Sequence, residues 1–152
     1  MIGLVLTPII SISTGAIAIP TPNQQGDYPI PAPRQRANRQ VNWQVVDPDP
    51  KGLSCRMAKQ FQGVRVDSMN APDALFQRNR HDLSQWSVVT TFRPGQRIRA
   101  VSGNLANQIV LVDHRGKPWL PIHSTKGDCF VRANSRFIRP LRENPTTLKP
   151  LE

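Results

Sequence analysis

The chain has 152 residues, with 20 Lys+Arg against 10 Asp+Glu, a length that as a prior points to one domain plus tails. Residues 41–142 carry 16 of the basic residues and 7 of the acidic ones, so the positive excess belongs mostly to that stretch. Such a charge favours anionic partners such as cell-wall polymers, lipid headgroups, nucleic acid or an acidic protein, but it does not select a fold.

Ile2 to Ile19 holds no charged residue, and Ala16-Ile17-Ala18 has the small-x-small form of a cleavage site. Residues 1–18 therefore read as a secretory signal peptide, which implies an exported, periplasmic or extracellular protein. The usual basic segment before the apolar run is missing, since the first basic residue is Arg34. An uncleaved anchor is the competing reading, but the run is short and polar for a membrane span. No transmembrane span is expected in the mature chain. Residues 19–40 are rich in Pro, Gln and Asn, which predicts an extended or disordered linker with little to bury.

From Val41 onward the pattern becomes strand-like. Eight short segments rich in Val, Ile, Trp and Phe are candidates: 43–46, 53–57, 86–92, 96–101, 108–113, 118–123, 129–133 and 136–141. Gly, Pro and Asp clusters separate them, the signature of a small all-β barrel or sandwich. In "RPGQRIRA" the alternation places Ile98 and Ala100 on one face and Arg97 and Arg99 on the other, a half-buried strand with a basic outer face. Residues 58–85 depart from the pattern and read as a long loop. Its "PDALFQRN" could form one helical turn with Asp73 as the cap. Residues 143–152 form a tail.

Four stretches in this order, "GLSCRM", "VVTTFRPGQRIRAV", "GKPWLPI" and "CFVRANSRFIRPL", resemble bacterial SH3-like (SH3b) domains, in particular the exported SH3-like proteins of cyanobacteria. The matching elements are Gly52 to Arg56, Pro94-Gly95, Trp119 to Ile122, and Phe130-Val131 with Phe137-Ile138. The resemblance implies a small SH3-like β-barrel over residues 41–142. The cysteines and the long first loop depart from the family pattern, and that loop lies where an SH3 ligand groove would be.

Cys55 and Cys129 admit three readings. A catalytic thiolate needs a neighbouring base. His81, His114 and His123 are available, but no Cys/His signature surrounds either thiol. A zinc site calls for closely spaced Cys/His pairs, and neither cysteine has a second one nearby. The third reading is a disulfide, the common state of two cysteines in an exported chain. In the resembled fold the strands carrying Cys55 and Cys129 approach each other. Leu53 and Met57 share the face of Cys55, and Val131 and Ala133 share that of Cys129, so both should point into the core. In a cytosolic protein the two thiols would instead be free and buried.

The binding surface is sought among aromatic and basic residues. Trp43, Trp86 and Trp119 are first of all core candidates. Trp119 is ambiguous, because Trp119 and Pro121 share one face of their strand, Leu120 and Ile122 the other, and both faces are apolar. Trp119, Pro121, Trp86, Arg97 and Arg99 are accordingly the candidate ligand-binding residues. The expected molecule is a monomeric, non-catalytic module without metal or cofactor, binding a cell-envelope component or an acidic protein. The alternative is a nucleic-acid or other polyanion binder of the same fold.

Overall fold

The computed structural model describes residues 19–29, 41–66, 71–77, 79–101 and 110–142. The expected signal peptide, residues 30–40 of the expected linker and the tail lie outside the described residues. All eight expected strands form, most of them trimmed at the ends. They are β1 (Asn42–Val45), β2 (Leu53–Met57), β3 (Ser87–Phe92), β4 (Arg97–Arg99), β5 (Leu111–Val112), β6 (Pro118–Ile122), β7 (Cys129–Arg132) and β8 (Ile138–Pro140). Among the described residues, helix is confined to three 3-10 turns, Lys59–Phe61, Asp73–Phe76 and Leu83–Gln85. None is long and apolar enough to cross a membrane.

The strands build two antiparallel sheets, ordered β4-β1-β8 and β3-β2-β7-β6-β5. Beyond β4 the chain runs onto β6 through an Ala100–Ile122 bridge. The Val101 amide donates to the Pro121 carbonyl and the His123 amide to that of Arg99. β4 thus links the two sheets at one corner. The inward side chains of β1, β4 and β8, namely Trp43, Val45, Ile98 and Ile138, share one buried cluster with Leu53, Cys55, Met57, Leu120, Ile122 and Val131.

The register explains which side chains meet. Arg56 lies opposite Phe130, Pro121 opposite Phe130, and Trp119 opposite Arg132. Cys55 and Cys129 sit one residue before Arg56 and Phe130, so their side chains project to the other face of the same sheet. There they form a disulfide, with their Cα atoms 5.4 Å apart, and both residues are fully buried. Gly52 opens β2 with φ +86°, and a Cβ at this position would collide with the Phe92 carbonyl. Only glycine suits such a left-handed, close-packed entry to the strand.

Two expectations are corrected here. Residues 19–29 are not a solvated linker. The Asn23 side chain accepts the amides of Gln25 and Asp27 in a tight turn. Asp27 then bridges to Asn134 and accepts from Arg132 Nη2 at 2.6 Å. Tyr28 enters the core edge-on to Trp43, with ring centroids 4.9 Å apart, and donates its hydroxyl to the Ile138 carbonyl at 3.2 Å. One aromatic residue and one buried ion pair offset the ordering entropy that composition alone suggested would prevail. The second correction concerns Asp73. It lies inside its 3-10 turn, whose cap is Pro72, and no side-chain hydrogen bond caps the turn.

Candidate functional site

The sheet β4-β1-β8 turns its polar side to solvent. Gln44 lies opposite Arg97 on one side and Arg139 on the other. One cross-strand row therefore reads Arg97, Gln44, Arg139, and its ends are about 10 Å apart at the usual strand spacing. The next row outward along β4 and β1 pairs Arg99 with Asn42, about 7 Å further along the strands. Arg97, Arg99 and Arg139 are exposed, while the intervening Trp43, Ile98 and Ile138 are buried. This alternation was legible in "RIRA". Gln44 organises the row: its Oε1 accepts from Arg139 Nε at 2.8 Å and also from Nη2, and its Nε2 donates to the Gly95 carbonyl at 3.1 Å. Arg139 is thereby held over β1 instead of being free to sweep through solvent.

Acidic side chains are spent elsewhere. Asp27, Asp47, Asp113 and Asp128 are all buried. Asp113 accepts the amides of Arg115 and Lys117 and the indole N–H of Trp119, closing the β5–β6 turn. Asp47 accepts the Asp49 amide. These carboxylates serve as internal acceptors, so the cations outside them face solvent with few acidic neighbours. No carboxylate among the described residues pairs with Arg97 or Arg99.

Arg99 also lines a second feature, an open cleft of about 600 Å³. Its other walls are Arg65 and the β6–β7 turn, through His123, Ser124, Thr125, Gly127 and Asp128. The turn is tied by its own bonds: Ser124 Oγ donates to the Gly127 carbonyl at 2.6 Å and accepts the Lys126 amide at 3.1 Å. Asp128 accepts the Val66 amide at 2.8 Å and holds His123 Nδ1 at 2.9 Å. Arg65 Nε lies 3.7 Å from the same carboxylate.

The remaining candidates fall away from this surface. Pro118 to Ile122 is buried throughout, so Trp119 and Pro121 are core residues and form no patch. Pro121 lies opposite Phe130, and the outer side of Phe130 is covered in turn. Trp86 packs edge-on to Phe130, with centroids 6.0 Å apart, and Phe61 and His81 pack on Trp86. Arg56 donates to the Trp86 carbonyl at 2.8 Å. Trp86 is thus a half-buried clamp on the sheet, away from the arginine row. Of the five candidates only Arg97 and Arg99 share a solvent-facing surface. Sequence reasoning missed Arg139, although "FIRP" shows the same in-out alternation. It also missed Arg65 and Asp128, which only the folded turn brings to His123. Both cysteines are consumed in the disulfide, which leaves no thiolate nucleophile. Compared with protein-family models, curated proteins and solved structures, this chain has no match.

Proposed function

We propose that the protein is an exported, non-catalytic binding module of SH3-like architecture whose ligand is an anionic component of the cell envelope. The observation that carries this reading is the ordered arginine row of β4, β1 and β8, set on a domain whose buried aspartates leave its surface cationic. Export is supported by the apolar N-terminal run and by a disulfide, which persists in oxidising compartments. The SH3-like assignment is supported by the order of the matched stretches and by two antiparallel sheets linked at β4. Among polyanions, single-stranded nucleic acid fits less well. It is gripped by bases stacking on exposed aromatic rings, whereas Trp43 and Trp119 are buried and Trp86 is packed on Phe130.

The test is a pull-down of the full chain on purified cell wall at low and high salt. Retention at low salt that weakens as salt rises is expected, because the screening length drops from about 30 Å at 0.01 M to about 3 Å at 1 M. Failure to be retained at low salt would overturn the proposal.

A further inference from the structure

The cleft beside the arginine row has a chemistry of its own. Arg99 and Arg65 flank it from β4 and from the start of the 58–85 segment, and the β6–β7 turn closes it. Guanidinium groups offer several N–H donors in a fixed fork and suit carboxylate or phosphate oxygens. His123 lines the same cleft, and its orientation is imposed from behind. Asp128 is buried to 2 % side-chain exposure and accepts from Nδ1 at 2.9 Å. An ionised carboxylate only accepts, so Nδ1 carries the proton and the opposite nitrogen, Nε2, is the one left for a ligand. In the neutral ring Nε2 accepts a hydrogen bond, and in the charged ring it donates one. A hydroxyl can answer either state, because it is both donor and acceptor. Thr125 adds an exposed hydroxyl to the rim. The volume, about 600 Å³, lies in the range of small-molecule sites and far exceeds a bare oxyanion.

On the reading that the ligand is an anionic envelope component, we infer that this cleft takes one acidic sugar unit, with its carboxylate or phosphate between Arg65 and Arg99 and a ring hydroxyl on His123 Nε2. The arginine row would then hold the rest of the polymer, since Arg99 belongs to both. The Asp128–His123 pair positions an acceptor and does no proton-transfer chemistry in this scheme.

NMR of the His123 ring in the full chain tests the assignment. The signal is assigned by its loss in His123→Gln. The probes are glucuronate, glucose 6-phosphate, inorganic phosphate and glucose. Saturable shifts with one or both acidic sugars, and none with glucose, are expected. A response to only one of them identifies the charged group as carboxylate or phosphate. Arg99→Gln should weaken the response roughly tenfold, the scale of one charge-assisted hydrogen bond, whereas Arg136→Gln, at an exposed cation outside the cleft and the row, should leave it unchanged. Inorganic phosphate binding as tightly as glucose 6-phosphate would overturn the sugar assignment, and an unmoved ring with both acidic sugars would overturn the site. The two readings fail separately. If only the cleft is wrong, Arg65→Gln with His123→Gln is still retained on cell wall. If only the envelope reading is wrong, the ring shifts with acidic sugars while the wild-type chain is not retained.

Discussion

Tyr28 shows how much a single side chain can do in a domain with a modest core. Its ring packs on Trp43 and its hydroxyl donates to the Ile138 carbonyl, so it joins the N-terminal strap to β1 and β8. Burial pushes its phenol pKa above the usual value near 10, because desolvation penalises the phenolate. The folded state therefore holds this proton more tightly than the unfolded chain does. Its contribution to stability is fully present below about pH 10 and is lost as pH rises from there through the folded pKa. Tyr28→Phe should cost about 1 kcal/mol at neutral pH through the lost hydrogen bond and should flatten the alkaline decline. Urea denaturation at neutral pH and above pH 10 measures both effects. Parallel declines in the two proteins would show that Tyr28 does not govern alkaline stability. The buried aspartates act on the same scale but in another sense. Asp113 gathers amide and indole N–H donors into the β5–β6 turn, and Asp128 ties His123 to the distant Val66 amide, which removes negative charge from the surface as a by-product of folding.

At the scale of elements, the Cys55–Cys129 bond links β2 to β7 across 74 residues of sequence. The chain-entropy model assigns a loop of that length about 4 kcal/mol of stabilisation, a large share of the total for a small domain. The bond is fully buried, and both cysteines lie on the face that Leu53, Met57 and Val131 supply to the core. Replacing both cysteines by alanine should lower the melting temperature by roughly 15 °C or more, on a scale of about 4–8 °C per kcal/mol. The β-sheet circular dichroism at low temperature should persist. A change of only a few degrees would mean that the unfolded chain is already constrained by other means. These elements also show what could be read in advance. The strands and the inward cysteines were legible because alternation and turn residues are local signals. The burial of Trp119 and Pro121 was not legible. A strand apolar on both faces is equally the mark of an exposed patch or of a sheet covered twice, and only the folded chain decides between them, for instance by laying Trp86 on Phe130, the residue opposite Pro121. The strap at 19–29 was hidden for a related reason, since its value rests on Arg132, Asn134 and Trp43, all more than a dozen residues away.

For the molecule as a whole, charge and architecture combine into one surface. Two sheets enclose the core, Trp86 with Phe61 and His81 lies on the far side of the larger one, and the smaller one is left with Arg97, Arg99 and Arg139 facing solvent. The arginine pair on β4 was legible from alternation, but its extension to Arg139 depends on β1 lying between β4 and β8. The three strands come from the start, the middle and the end of the domain, so the surface is a product of topology. The most direct test of its role compares retention on purified cell wall for the wild-type chain and for Arg97→Gln/Arg99→Gln/Arg139→Gln, with Lys51→Gln/Arg115→Gln/Arg136→Gln, at three other exposed cations, as a charge-matched control. Exposed charges contribute about 0.2–1 kcal/mol each, so the triple variant should bind roughly tenfold more weakly at low salt, with its melting temperature little changed. The control should lose far less, and a triple variant retained as well as the wild type would contradict the assignment of this face as the binding surface.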